Sequence, residues 1–282
     1  MEKQKLFKTS DGTEVYLHEY DCVNSTNTLL LNMARQGAPV GTVVWAHTQD
    51  GGRGRLGRSF SSPEGGVYLS LLVPCPANLE EVGFALTAKI GVAVKRTIDG
   101  VTGKPCGIKW VNDIILEHHK VCGILAQMCS EVPDKTVVGI GINYTTDPSY
   151  FAPELRSIAG SICEFAPELP PMEVFVTALI DNVYALVGPN ATGLNATVPN
   201  ATGLNATGSS STIFNTKNNN SWLKEYKSSS TILGNQVKVL QAGTVIAEGT
   251  ASSIDDQCHL HVITNGGKEM ILSTGEVSVR NL

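Results

Sequence analysis

Three clusters in the 282-residue sequence carry side chains capable of chemistry. The densest is Gly52-Arg53-Gly54-Arg55-Leu56-Gly57-Arg58, which sets three guanidinium groups among three glycines. Arginine presents a fixed, always-charged fork matched to carboxylate or phosphate, and glycine lets the backbone fold closely around such a ligand. The spacing also fits G-x-G-x-x-G, but a dinucleotide-binding turn must run from a strand into a helix. Here Ser59-Phe60-Ser61-Ser62-Pro63-Glu64-Gly65-Gly66 follows, which will not form a helix, and no acidic residue stands at the proper distance after a second strand. A Walker A loop is excluded because G-K-[ST] is missing. A nucleic-acid arm would repeat the motif in a basic chain, whereas this one occurs once in a chain of net charge −5. The segment is read as a mobile clamp for a small anion.

The second cluster is Lys109-Trp110-Val111-Asn112-Asp113, followed by Lys120-Val121-Cys122-Gly123-Ile124-Leu125. Charged groups beside an aromatic residue at the mouth of a strand suit a ligand, although a surface ladder has the same pattern. The third is Gly139-Ile140-Gly141-Ile142-Asn143. Alternate glycines in a strand admit a flat ligand or a second backbone, and a tightly packed sheet reads alike.

Around these clusters the pattern predicts a mixed domain over the first 187 residues. Ser25-Thr26-Asn27 precedes Leu29, Leu30, Met33 and Ala34, with Gly37 beyond, which predicts a capped amphipathic helix. Strands are expected at 42–46, 67–73, 114–116, 121–127 and 136–143, with a hairpin turn at Glu117-His118-His119. Helices are expected between Asn78 and Ile98, opened by an Asn78/Glu81 capping box, and over Met172–Val187. Residues 188–221 hold two near-copies, PNATGLNATV and PNATGLNATG, and a Ser/Thr/Asn-rich run too polar to form a core, so a mobile loop is expected. After residue 232, short alternating runs at 237–240, 244–248, 259–264, 269–272 and 277–280 predict a small barrel of SH3-like kind.

Composition sets the outer bounds. The chain is 42% hydrophobic and 17% charged, with no run of about 18 apolar residues and no apolar leader core, so a soluble cytoplasmic protein with neither membrane nor nucleic-acid partner is expected. Seven scattered cysteines without a C-x-x-C pair read as reduced thiols, Cys122 and Cys129 as small buried hydrophobes.

The order S-T-N, Q-x-x-G-R-G-R-x-G-R, K-W-x-N-D, K-x-x-G-I-L, G-I-G-I-N resembles the biotin protein ligases over about residues 20–187, and the likeness resumes at Trp222. The resemblance implies an α+β fold: a mixed β-sheet with flanking helices, related to class II aminoacyl-tRNA synthetase cores, plus a C-terminal SH3-like β-barrel. Domains at 1–231 and 232–282 follow from it. It implies that ATP activates biotin to biotinyl-5′-AMP, and that a lysine of a biotin carboxyl carrier protein takes the biotinyl group. Arginines and glycines at 52–58 would then form a loop that sequesters the adenylate from water.

Carried over to this sequence, Ser25, Thr26, Asn27 and Gln49 would hold the ureido ring. Arg53, Gly54 and Arg55 would fold over biotin and the adenylate phosphate, with Arg58 and Phe60 on the ATP side. Lys120 would reach the biotin carboxylate; with Arg55 and Lys109 it would carry the chemistry. Lys109, Asn112, Asn143 and Arg280 would serve the nucleotide, and Asp113 would help hold Mg²⁺.

The sequence departs from the family at Val111, where proline is usual and an extended backbone is expected, and at Phe60, near where tryptophan is common. Ser25 arrives too early for an upstream winged helix, so ligase activity without DNA binding is expected; a homodimer is left open. The alternatives are a lipoate protein ligase and a non-catalytic nucleotide- or RNA-binding module.

Overall fold

The computed structural model describes residues 2–75, 84–191 and 221–273, and the main chain of 277–281. Its larger sheet has eight strands: β1 (Glu2–Lys8), β2 (Glu14–Val23), β3 (Thr42–Gln49), β4 (Gly66–Pro74), β5 (Gly107–Lys109), β6 (Asp113–Leu116), β7 (His119–Met128) and β8 (Lys135–Asn143). Their spatial order is β1-β2-β3-β4-β8-β7-β6-β5, antiparallel throughout except for the parallel β2–β3 pair. The helix that returns the chain between those two parallel strands is α1 (Thr26–Arg35). Ser25 caps it, accepting from the Thr28 amide, and Gly37 follows at φ +94°.

Because side chains alternate across a strand, each strand feeds two different environments. Val43, Trp45, Val67, Leu69, Leu71, Val138, Ile140 and Ile142 enter the main core. There α2 (Ala85–Thr102) and α4 (Met172–Val187) cover the sheet, and Tyr184 on α4 donates to the Leu72 carbonyl at 3.1 Å. On the opposite face α1 packs Leu30 and Ala34 over Val44, Leu72 and Val137. The remaining α1-side residues include Ser70, Gly123, Gly139 and Gly141, and there the face is not filled by aliphatic side chains.

The strands expected from the sequence are present, and α4 has the expected limits. The Glu117–His118 turn uses two consecutive left-handed residues, φ +46° and +70°, as a two-residue hairpin requires. Helix α2 differs from expectation: it continues past Ile98 to Thr102, because Val101 extends the buried face and the left-handed residue that stops it is Gly103, φ +68°. The expected cap at Asn78 and Glu81 and nearly all of the polar repeat lie outside the described residues. The short α3 (Ile162–Phe165) carries a capping box of Ser161 and Glu164. Strands β1, β2 and β5 were not foreseen; β2 loses its alternation after Leu17, and β5 has only three residues.

Helix α5 (Ser221–Ser228) leads into the second sheet, β9 (Gln236–Gln241), β10 (Thr244–Ile254), β11 (Leu260–Thr264), β12 (Glu269–Leu272) and β13 (Val277–Asn281). The five strands are antiparallel in the order β12-β11-β10-β9-β13, the small SH3-like architecture expected. Buried residues of these strands, among them Val239 and Leu260, and Cys258 in the β10–β11 turn are continuous with the main core. At that junction the Trp110 indole donates to the Cys258 carbonyl at 2.9 Å, and Phe84 stacks on Trp110 at 5.4 Å.

Candidate active site

A cavity of about 210 Å³ opens where the α1-side face of β4, β7 and β8 meets the N-terminus of α1 and the loop after β3. Of the residues singled out in the sequence, Ser25, Thr26, Asn27, Gln49, Arg53, Gly54, Arg55, Arg58, Phe60, Lys109, Asn112, Asp113 and Lys120 all line it. Asn143 does not: its amide donates to the Gly160 carbonyl at 3.0 Å, and it is buried. The Arg280 side chain lies outside what is described.

The arginine loop is a closed flap rather than an extended arm. The Phe60 amide donates to the Gly52 carbonyl (2.9 Å) and the Gly54 amide to the Arg58 carbonyl (2.7 Å). Between them a single 3₁₀ turn, Arg55–Gly57, holds Leu56 and Gly57 at positive φ. Only glycine fits at position 52, because a Cβ there would stand 2.3 Å from the Phe60 carbonyl oxygen. The loop therefore turns Arg55 inward, where its Nη1 donates to Asn112 Oδ1 at 3.0 Å. Burial pulls the Arg55 pKa down, and the nearby Asp113 charge acts against that shift.

The glycines of the third cluster have a definite use. A Cβ at Gly141 would lie 2.6 Å from the edge of the Phe60 ring, one at Gly123 3.2 Å from it, and one at Gly139 2.1 Å from Asn27 Oδ1. The flat group that they admit is thus the protein's own Phe60 ring, with the Asn27 amide beside it. Phe60 is held edge-on by Tyr68, centroids 6.4 Å apart, and the Tyr68 hydroxyl donates to the Pro63 carbonyl.

The opposite wall is a buried polar chain. Gln49 Oε1 accepts from the Thr26 amide (2.8 Å) and lies 3.1 Å from its hydroxyl, while Gln49 Nε2 donates to Ser62 Oγ at 2.8 Å. Ser70 bridges Thr26 Oγ1 and Asn27 Oδ1 at 2.7 and 2.6 Å, and Asn27 Nδ2 donates to Gln127 Oε1 at 2.7 Å. Sequence reading missed Ser70 and Gln127. The signal for Ser70 was a lone hydroxyl inside V-Y-L-S-L-L-V; fully buried, it required a polar partner.

On the third side, Asp113 opens β6 and Lys120 sits across the hairpin on β7, their charges 2.7 Å apart. Asn112 is fixed at both ends of its amide, donating to the Ile124 carbonyl at 3.0 Å while accepting from Arg55. The Trp110–Val111 peptide between Lys109 and Asn112 is cis, not the extended link expected. The Asp113 carboxylate is engaged by Lys120, and no group of three or more His, Cys, Asp or Glu side chains suited to a metal occurs among the described residues. The described residues thus form no all-protein cage for a resident metal, whereas a Mg²⁺ held chiefly by phosphates and waters would need only one such carboxylate. In this geometry Asp113 faces Lys120 and orients it.

Arg53, Arg55, Arg58, Lys109 and Lys120 converge on one cavity with one carboxylate among its described lining residues, in a chain of net charge −5. Such a local reversal of sign concentrates anions, and the N-terminus of α1 adds its dipole. The cavity can receive a carboxylate and a phosphate together, with an aromatic ring and a glycine floor for an apolar body. The thiols stay out of this chemistry: burial pushes the Cys122 thiol well above its usual pKa, and none of the seven cysteines is paired.

The comparisons with known proteins agree with this arrangement. Residues 19–143 match the Biotin/lipoate A/B protein ligase family, and residues 232–280 match the biotin protein ligase C-terminal domain. The chain is 37% identical over 156 residues to the bifunctional ligase/repressor BirA of Bacillus subtilis, covering 54% of this chain and 48% of that protein. It thus spans about half the length of the first curated relatives it matches. The biotin–[acetyl-CoA-carboxylase] ligase of Mycobacterium tuberculosis is 27% identical over 260 residues, 90% of this chain and 85% of that protein. In fold, the biotin protein ligase from Aquifex aeolicus in complex with biotin and ATP superposes with a TM-score of 0.73 at 24% identity, over 94% of this chain and 99% of that one. The first family match contains every described cavity residue and the second covers the C-terminal sheet, so the chain carries a Biotin/lipoate A/B protein ligase region followed by a biotin protein ligase C-terminal domain.

Proposed function

We propose that the protein is an ATP-dependent biotin protein ligase that adenylates biotin and transfers it to a lysine of a carboxyl carrier protein. The observation that carries this reading is the convergence of Arg53, Arg55, Arg58, Lys109 and Lys120 on one glycine-floored cavity. In the first step an oxygen of the biotin carboxylate attacks the α-phosphorus of ATP, a mixed anhydride forms, and pyrophosphate leaves. Both reactants are anions, so the barrier falls only if cations offset their repulsion and the charge on the pyrophosphate. Lys120, oriented by Asp113, is assigned to the carboxylate and α-phosphate; Arg55 and Lys109 to the α-phosphate; Arg53 and Arg58 to the departing phosphates. Any Mg²⁺ would arrive on the triphosphate as part of the substrate. In the second step the unprotonated carrier amine attacks the acyl carbon, an amide forms, and AMP leaves.

The polar wall of Thr26, Asn27 and Gln49 suits a cyclic urea, which presents one acceptor and two donors. Phe60, expected on the ATP side, is assigned here to the sulfur-containing ring beside the urea instead, because it packs on Gly123 and Gly141 near the Asn27 amide. The arginine flap would limit water at the anhydride. We assign the catalytic unit to residues 1–231 and the SH3-like unit to 232–282, and place the enzyme in the cytoplasm with reduced thiols. No helix among the described residues is long and apolar enough to cross a membrane.

ATP–pyrophosphate exchange with biotin, with lipoate and with neither tests the reading. Exchange with biotin alone is the expected result. Exchange with lipoate alone would move the assignment to lipoate ligation, and none from folded protein would refute adenylation.

A further inference from the structure

Helix α5 and the three residues after it lie between the two family matches, yet they buttress the cavity from behind. Glu225 receives Arg96 Nε and Nη2 at 3.0 and 2.8 Å, and Lys89 stands 5.3 Å from the Trp222 ring centre, which binds α5 to α2. The opposite side of α5 is buried through Leu223 and Tyr226. The Tyr226 hydroxyl donates to the Val111 carbonyl at 3.4 Å. Just beyond, the Ile108 amide donates to the Ser229 carbonyl (2.7 Å) and the Thr231 amide to the Ile108 carbonyl (3.0 Å). Thr231 packs so closely that a Cβ on Gly107 would meet its methyl at 2.1 Å. The backbone from Gly107 to Asp113, which carries Lys109, Asn112 and Asp113, is therefore backed at Gly107, Ile108 and Val111 by residues 226–231.

We infer that Tyr226 is a positioning residue: its hydroxyl fixes the Val111 carbonyl, and so the Asn112 amide that holds Arg55 and the arginine flap. The inference rests on the ligase reading only for its catalytic consequence. Burial keeps the Tyr226 phenol protonated, with the Arg55 charge acting against that shift, so the hydroxyl is a donor at neutral pH. Tyr226 faces no ligand itself; what it sets is how firmly the flap is latched.

The test is Tyr226→Phe in the full chain, which removes one oxygen and keeps the ring. Trypsin cleavage after Arg53, Arg55 and Arg58, followed by mass spectrometry, reads the latch without any ligand. Cleavage is expected to accelerate up to about tenfold, the effect of one buried hydrogen bond. In the enzyme, biotinyl-AMP released per biotinyl group transferred is expected to rise by a similar factor, while the melting midpoint holds within about 2 °C. The Tyr226→Phe/Asn112→Ala double variant is expected to match Asn112→Ala alone, since both act on one latch.

Unchanged flap cleavage overturns the inference, as does cleavage that rises equally across the whole chain with a lowered melting point. Additive effects in the double variant overturn it too. If the wild-type chain shows no biotin-dependent exchange, the ligase reading fails, and the flap cleavage still decides the role of Tyr226.

Discussion

Along β8, Val138, Ile140 and Ile142 point into a packed core while Gly139 and Gly141, from the same strand, face the cavity. The two faces of one sheet thus receive opposite treatments. The core face is filled with branched aliphatic groups and two helices, and gains from each methylene removed from water. The cavity face gives up that gain: three of its positions are glycine, its hydroxyls and amides bond one another, and its cations surround open space. The contrast teaches that around the cavity stability and binding are assigned to alternate residues, while farther along the same strands Leu72 and Val137 return the cavity face to core packing beneath α1.

The largest effect that would test this contrast is Lys120→Ala, expected to lower biotin-dependent pyrophosphate exchange about 1000-fold while leaving the melting midpoint nearly unchanged. A residual rate within tenfold of wild type would show that the carboxylate is held elsewhere. On the packed face, Ile140→Ala is expected to destabilise the fold by about 3 kcal/mol in urea titration with little change in KM for biotin. One residue away, Gly141→Ala should do the reverse. Its Cβ would press the Phe60 ring toward the cavity, raising KM for biotin roughly tenfold at near-normal stability. Equal loss of stability in the two neighbours would break the comparison.

Arg55→Gly is expected to release biotinyl-AMP and raise labelling of lysines outside the carrier several-fold, about the effect of one charge-assisted hydrogen bond, as read by streptavidin blotting. The smallest effect lies in the second sheet. His261 sits 2.8 Å from Glu269 and 3.5 Å from Asp255, and the Glu269 hydrogen bond raises its pKa. A pKa raised by folding contributes stability that is full below the unfolded value near 6.5 and is lost as pH climbs through the folded value. Melting the wild type and His261→Gln at pH 6 and pH 8 should therefore show a wild-type advantage of about 0.5 kcal/mol at pH 6 only.

The cation set, the capped helix at Ser25 and the five C-terminal strands were legible in the sequence because each depends on neighbours a few residues away. The arginine flap could be recognised as an anion loop from its composition, but its latch onto Asn112 joins positions 57 residues apart. The same distance effect hid β5, whose three residues become a strand by pairing with β6 on one side and residues 229–231 on the other.

By itself the sequence determined which residue types could meet an anion and which segments had the period of a strand or a helix, since charge and periodicity are local properties. Only the tertiary structure decided what those residues face: that Gly139 and Gly141 make room for Asn27 and Phe60, that Asp113 is tied to Lys120, that Asn143 turns to Gly160, and that Tyr226 stands behind Val111. The reason is physical. A partner chosen across the sheet is selected by packing and by the need of every buried polar group for a complement, and neither is written in the spacing of one segment.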